Sequence, residues 1–427
     1  MTPLLLIVLC ATVFSASYYN KDVFSPVRIY ICTYSLLLAI NFLNLSGLQT
    51  PWSVTTNLLF WGGSFFFIAG CCLMLLVNRV VNPDGAIDFS RIRGGIQADA
   101  DVADWKWFCG VWLFCTMVFL VSYITSAVVS GGIPLFSPDG DKFRVKFFGA
   151  TGPSNYGLFF GPLSLILVTE LLFFGSFRGK RRIAILIAAV ATLLLYVTIL
   201  TRLDLFRFSL FAIILYHYGK KKLGTVQILG VFGFSILFFF AFFLIRVKYN
   251  SISMLLEMQK LRMHKDFIWC ASIYAYVVNN FWNMDFAFRK FVDGTASVPL
   301  GWGFDLSRAF LGLAHVERAL EESFRFDTIM NESVARVKGL NTIVYTWHFF
   351  KDFGAFGAYF LPLVFGMITT SFYVNSMNTP TLFRFSMWAL IAPVIILSYS
   401  VPLWEFWFIY LNIVVMLIAH RRVKIAT

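Results

Sequence analysis

The sequence predicts an all-α, polytopic integral membrane protein, and three observations predict it. Hydrophobic residues fill 59% of the 427 positions and charged residues only 13%; a soluble domain carries about 25% charge, so this chain could not clothe itself in a wetted surface. The apolar residues gather into runs near the roughly 17–25 residues that cross a bilayer. Lys and Arg also alternate unequally between successive loops, as the orientation rule for membrane helices requires.

Eleven spans are expected, over 3–19, 27–46, 57–78, 107–129, 154–177, 183–200, 204–219, 225–246, 349–374, 384–400 and 403–419. The first has no Lys or Arg before it and is read as a transmembrane helix rather than a cleaved signal peptide. The 204–219 run is short and opens with charge, which puts its outer end below the membrane surface. With the N-terminus outward, the inward loops and their flanks hold seventeen Lys and Arg and the short outward loops five, which places the C-terminus inside.

Two regions depart from the hairpin pattern. The inward 79–106 loop is polar and rich in Asp and Gly, and is read as a partly ordered connector. The outward segment between Arg246 and His348 is too long for a simple loop. Its aromatic stretch 267–282 is short for a span and fits an interfacial or re-entrant helix. Residues 315–338 have apolar positions at helical intervals and read as an amphipathic helix on the outer surface. The expected organisation is therefore 1–246 with eight spans, 247–348 as a large outer loop, and 349–427 with three spans and an inner C-terminus. No inverted internal repeat of the transporter kind is visible.

The net charge of +13 does not point to nucleic acid. The cations are strung along loops between spans, where they set orientation and meet anionic lipid. Of seven cysteines, Cys10, Cys32, Cys71, Cys72, Cys109 and Cys115 lie in or beside apolar runs and Cys270 in the long outer segment. Without a CxxC or Cys/His ligand spacing they read as small buried hydrophobes, neither a disulfide framework nor a zinc site.

Chemistry is sought where charge falls outward. Residues 131–144 carry two glycines, two prolines and then Asp141, Lys142 and Arg144, a specified non-helical backbone at the membrane edge. Asp139 with Asp141, and Asp99 with Asp101 on the inner side, have the Asp-x-Asp spacing of metal-dependent sugar transferases; chance and turn formation explain it better, and no metal is expected. Arg202 and Arg207 bracket Asp204 at the turn between the sixth and seventh spans. A guanidinium keeps its charge and offers forked donors matched to phosphate oxygens; an Arg–Asp pair capping a tight turn is the plainer alternative. Arg246 and Lys248 close the eighth span on the same side, where snorkelling explains them equally well. Asn341, His348 and Asp352, seven and four residues apart, would share a helix face at the entry to the ninth span. A carboxylate or imidazole there could deprotonate a hydroxyl, or Asp352 could simply favour a helix start. Gly354 and Gly357 follow and permit close helix contact.

Together the multi-span layout, the Gly-Ile-Pro-Leu-Phe…Arg144 loop, the turn at Arg202, the large late outer loop and the Asn341…Asp352-Phe-Gly…Gly357 entry resemble the Wzy-type oligosaccharide repeat-unit polymerases, the O-antigen polymerases. The resemblance implies a GT-C-like glycosyltransferase of the bacterial inner membrane, working at the periplasmic face without cofactor or nucleotide sugar. It would move a growing glycan from undecaprenyl pyrophosphate onto a second lipid-linked repeat unit, for O-antigen, capsule or exopolysaccharide. Partners would then be the lipid-linked oligosaccharide as donor and acceptor, anionic lipids and a chain-length regulator. Arg144, Arg202 and Arg207 become pyrophosphate ligands, with Arg246, Lys248 and Asn341 as further substrate contacts. Asp352 or His348 becomes the base, and aromatic residues of 267–288 would pack on sugar faces. The O-antigen ligases share this layout, with a histidine that His348 could match. A flippase for the same lipid is the rival from another class; Glu170 is its clearest intramembrane charge.

Overall fold

A computed structural model describes residues 22–421 apart from 82–87, 138–139, 150–154, 200, 225, 228–229, 231–259, 261–267, 293–299, 314–341, 401, 403 and 405. The described residues form helices joined by short turns, with no strand among them. Five helical stretches are long and apolar enough to cross a membrane: Val54–Asn78, Trp105–Phe136, Tyr156–Phe174, Gly179–Thr198 and Tyr345–Asn378. Pro26–Phe42, Leu382–Leu397 and Trp407–His420 are shorter apolar helices. Of the expected runs, 3–19 and most of 225–246 lie outside the described residues, as does the expected amphipathic helix at 315–338.

The chain divides into two compact units. Unit 1 comprises 1–87, 249–374 and 394–409. It contains α1 (Pro26–Phe42) and α2 (Val54–Val81). α10 (Ile268–Val292), α11 (Phe304–Leu313) and most of α12 (Tyr345–Asn378) complete it. Glycines let α2 and α12 approach backbone to backbone. A Cβ on Gly70 would lie 2.1 Å from the Leu363 carbonyl oxygen, and one on Gly366 2.2 Å from that of Phe67. Across the interior, the Tyr30 hydroxyl donates to Ser64 at 2.9 Å and meets the Tyr345 hydroxyl at the same distance.

The 267–282 stretch, read as an interfacial or re-entrant helix, falls largely in α10. α10 is a 25-residue helix whose Tyr274, Phe281, Trp282 and Phe288 are all buried in unit 1. These rings are core, not a platform for sugars. Asp285 on the same helix accepts the Ser53 N–H at 2.9 Å and the Thr56 hydroxyl at 2.7 Å, capping the start of α2.

Unit 2 comprises 88–248, 375–393 and 410–427. It contains α3 (Phe89–Val102), α4 (Trp105–Ser130), α5 (Gly140–Gly149), α6 (Asn155–Leu158) and α7 (Phe160–Phe174). α8 (Gly179–Thr198) and α9 (Arg202–Gly219) follow, then the start of α13 (Leu382–Leu397) and most of α14 (Trp407–His420). α7 is the buried axis, packed by α4, α8 and α9. The outer faces of α4 and α8 leave Met117, Val121, Ile124, Ile187, Val190 and Leu194 uncovered. That is the dressing of a helix facing hydrocarbon.

Within the 79–106 segment, read as a partly ordered connector, α3 is a regular helix. Asp88 caps α3 by accepting the Ser90 and Arg91 N–H groups at 2.8 and 3.3 Å. Ile92, Ile96 and Ala100, four residues apart, form its buried stripe. In 131–144, Gly131 ends α4 in the left-handed conformation (φ 77°) and a 3₁₀ turn covers Pro134–Phe136. The non-helical reading fails over 140–144, which open α5.

Candidate functional site

In unit 1 the entry to the ninth expected span is a broken helix. Phe353 (φ −135°, ψ 19°) and Gly354 (φ 63°, ψ −150°) interrupt α12; the second conformation is open essentially to glycine alone. The break takes the Lys351 and Asp352 carbonyls out of the helical ladder. They accept instead the N–H groups of Gly301 at 3.0 Å and Trp302 at 2.9 Å. Residues 301–306 are thereby laid across the interruption. A Cβ on Gly301 would come within 2.5 Å of Asp352 Oδ1, so the approach requires glycine. Gly354 and Gly357 thus shape the break itself: a Cβ at Gly357 would strike the Phe349 carbonyl of the same element at 2.1 Å. The expected role for them in contact between helices is replaced by this one.

Asp352 is fully buried. Its Oδ1 accepts the Asp305 N–H at 3.1 Å and its Oδ2 the Leu306 N–H at 3.0 Å. Those donors belong to the first turn of α11, where four N–H groups lack helical partners. The carboxylate is therefore a cap supplied by one helix to another.

The next carboxylate, Asp305, carries the ion pairs. The Lys351 ammonium stands 3.1 Å from both of its oxygens, and His348 Nδ1 stands 3.7 Å from Oδ2. Asp305 is 1% exposed and Lys351 6%, while the His348 side chain keeps 18% of its surface open. Burial alone would raise the Asp305 carboxyl; the His348 ring, the Lys351 ammonium and the nearby Arg308 guanidinium outweigh it and hold the carboxyl down to about 2. Beside them Trp302 is 76% exposed with φ 49°, a conformation that a large L residue rarely adopts.

In unit 2, Arg207 and Asp204 pair within the first turns of α9, Nη1 to Oδ1 at 2.9 Å, and both are buried. Tyr196, from α8, donates its hydroxyl to Asp204 Oδ2 at 2.7 Å. Arg144, on α5, is partly buried and close enough to Tyr196 for the two to interact electrostatically. An Arg–Asp pair, the plainer alternative for this cluster, is thus present between Arg207 and Asp204. Arg202 opens α9, with its side chain outside the described residues. Arg246, Lys248 and Asn341 also lie outside them, so a face shared by Asn341, His348 and Asp352 reduces here to the last two.

Glu170, buried on α7, meets His420 of α14 at 2.9 Å, Oε2 to Nε2. Asp99 accepts the Leu382 N–H at 2.8 Å, joining α3 to the start of α13, and Asp101 accepts the Gln97 amide within α3 at 2.8 Å. Among the described residues no three His, Cys, Asp or Glu side chains gather as metal ligands.

Two members of the cluster escape the sequence reading. Asp305 follows Gly301-Trp302-Gly303, a turn signal ahead of a helical run, yet its partner is 46 positions away. Lys351 sits inside an apolar stretch, and a buried lysine is itself a signal, because such a group needs a counter-charge. Comparison of the chain with protein-family models, with curated proteins and with solved structures gives no match.

Proposed function

We propose that this protein is a multi-pass glycosyltransferase of the bacterial inner membrane. In this reading it polymerises lipid-linked oligosaccharide repeat units at the periplasmic face, taking the growing glycan from undecaprenyl pyrophosphate. The observation that carries the reading is the ionisable cluster of Asp305, His348 and Lys351 at the interrupted start of an apolar helix. Charge is costly at membrane depth and is retained there chiefly for chemistry or transport. Irregular backbone survives at that depth only where protein packs it or a cavity wets it.

The reaction asks little else of the protein. Diphosphate is a good leaving group, so cations that hold the departing charge matter more than a general acid. Arg144 and Arg202 are assigned that task. Arg207, buried and paired with Asp204, fixes the first turns of α9. His348 or Asp352 would receive the acceptor's proton, and the exposed Trp302 offers a ring to a sugar face.

The test is elongation of purified lipid-linked repeat units by the purified full-length protein. Ladder formation that stops in His348→Gln and in Arg144→Ala supports the reading. Absence of any ladder from the parent protein, in a lipid where its substrate is soluble, defeats it. A flippase is the second reading, favoured by the broken α12 and by the buried Glu170–His420 pair, both familiar in ion-coupled transporters. Protection of a fluorescent lipid-linked sugar from an impermeant quencher would decide for transport.

A further inference from the structure

We infer that Asp305 is a positioning residue for His348, braced by Lys351, so that His348 and not Asp352 takes the proton from the incoming hydroxyl. The inference rests on the glycosyl-transfer reading and names the proton acceptor within it.

The two carboxylates of the cluster are engaged differently. Both Asp352 oxygens are occupied by backbone N–H groups, at 3.1 and 3.0 Å, and the residue has no exposed surface. Each oxygen is spent on capping α11 and no part of the side chain meets solvent, so it turns no exposed edge to a substrate. Asp305 instead turns Oδ2 towards His348 Nδ1 at 3.7 Å, while Lys351 stands 3.1 Å from both its oxygens. The 3.7 Å separation is an ion-pair distance, longer than a hydrogen bond. It shortens when the imidazole gains charge, as catalytic contacts commonly tighten in the reacting complex.

An anion beside Nδ1 fixes the proton on that nitrogen and leaves Nε2 as the basic edge. Asp305 can do this because its carboxyl stays ionised across the neutral range. His348 is also the cluster member with open surface, since Asp305, Lys351 and Asp352 are buried.

The step balances. Nε2 accepts the proton of the acceptor hydroxyl; its oxygen forms the new bond to the anomeric carbon. The bond from that carbon to the diphosphate oxygen breaks, and undecaprenyl pyrophosphate leaves with the electron pair. The imidazolium, facing Asp305, then returns its proton to water. Lys351 keeps Asp305 from swinging away and supplies the charge that makes a buried carboxylate tolerable.

The experiment uses the full-length protein in nanodiscs with purified lipid-linked repeat units. Asp305→Asn is expected to lower kcat about 100-fold or more, the usual scale for loss of acid–base help, with KM held within about threefold. Asp305→Glu is expected to recover about tenfold of that loss, because the carboxylate returns with an altered reach. Asp352→Asn is expected to keep kcat within about tenfold of the parent, since its role is structural. Full turnover by Asp305→Asn overturns the inference. So does a loss that Glu does not relieve, or an Asp352→Asn defect as deep as that of His348→Gln. A second readout needs no activity: ¹⁵N histidine spectra, with His348→Gln assigning the signal. An Nδ1–H tautomer in the parent supports the pair, and an Nε2–H tautomer overturns it. A parent that elongates nothing yet shows the Nδ1–H tautomer retains the Asp305–His348 pair and removes the polymerase reading alone.

Discussion

Asp352, a carboxylate that the sequence offers as a base, receives the backbone N–H of Asp305 at 3.1 Å and so fastens α11 to the break in α12. Substituting a capping side chain by Ala costs about 0.5–2 kcal/mol. Asp352→Ala should fall in that range by thermal unfolding in detergent, and Asp352→Asn should cost less, since the amide oxygen still accepts one N–H. Equal stability of all three proteins would show that the cap contributes nothing.

The pH dependence of stability follows from Asp305. Its folded carboxyl is held down to about 2, against an unfolded value of about 3.9. A depressed acid contributes stability that is fully present above the unfolded value and is lost as pH falls through the folded one. The melting-temperature gap between the parent and Asp305→Asn should be constant from neutrality to about pH 5 and close towards pH 2. A gap that widens on acidification contradicts the ion pair.

Lys351 and Asp305 are both buried, which makes each costly without the other. Lys351→Met should destabilise by about 3–5 kcal/mol, because it strands the carboxylate. The double change Lys351→Met with Asp305→Leu should be markedly less damaging than Lys351→Met alone, a non-additivity that chemical denaturation in mixed micelles can read.

Two glycines give opposite forecasts. At Gly70 a Cβ would stand 2.1 Å from the Leu363 carbonyl oxygen, and at Gly94, on the exposed side of α3, it would meet nothing within 4 Å. Gly70→Ala must push two backbones apart and should cost about 1–3 kcal/mol. Gly94→Ala removes only chain freedom and should gain about 0.5–1 kcal/mol. The sign of the two melting-temperature shifts checks both.

Arg207 is held by Asp204, which Tyr196 holds in turn. Arg207→Ala should abolish polymer while single lipid-linked units are still made and exported, and Lys should rescue poorly because a point charge does not replace a fork. Gel analysis of surface glycans distinguishes this from full-length chains, which would remove Arg207 from the polymerisation site.

The helices were legible because lipid solvation writes them into local composition. The apolar runs at 57–78 and 107–129 fall inside helices at Val54–Val81 and Trp105–Ser130, and most of 183–200 falls inside Gly179–Thr198. Where charge breaks a run, composition misleads. The apolar run in α10 reads as a stretch too short to span because Asp285, Arg289 and Lys290 interrupt it, although Asp285 is engaged by a cap and an ion pair. His348 and Asp352 are visible as polar residues in an apolar setting; the cap that Asp352 makes and the approach of His348 to Asp305 are not.

The sequence by itself determined that the chain is helical, apolar enough for a bilayer, and marked by ionisable residues near 348–352. Those follow from the transfer cost of each side chain, which is a local quantity. The tertiary structure alone decided that Asp352 is a cap, that Asp305 pairs with Lys351 across 46 positions, and that Arg207 turns inward to Asp204. The first two depend on which donors a break in one helix leaves for a distant segment to satisfy, and no short window of sequence contains both partners; the third, between residues three apart, depends on the packing that buries both side chains.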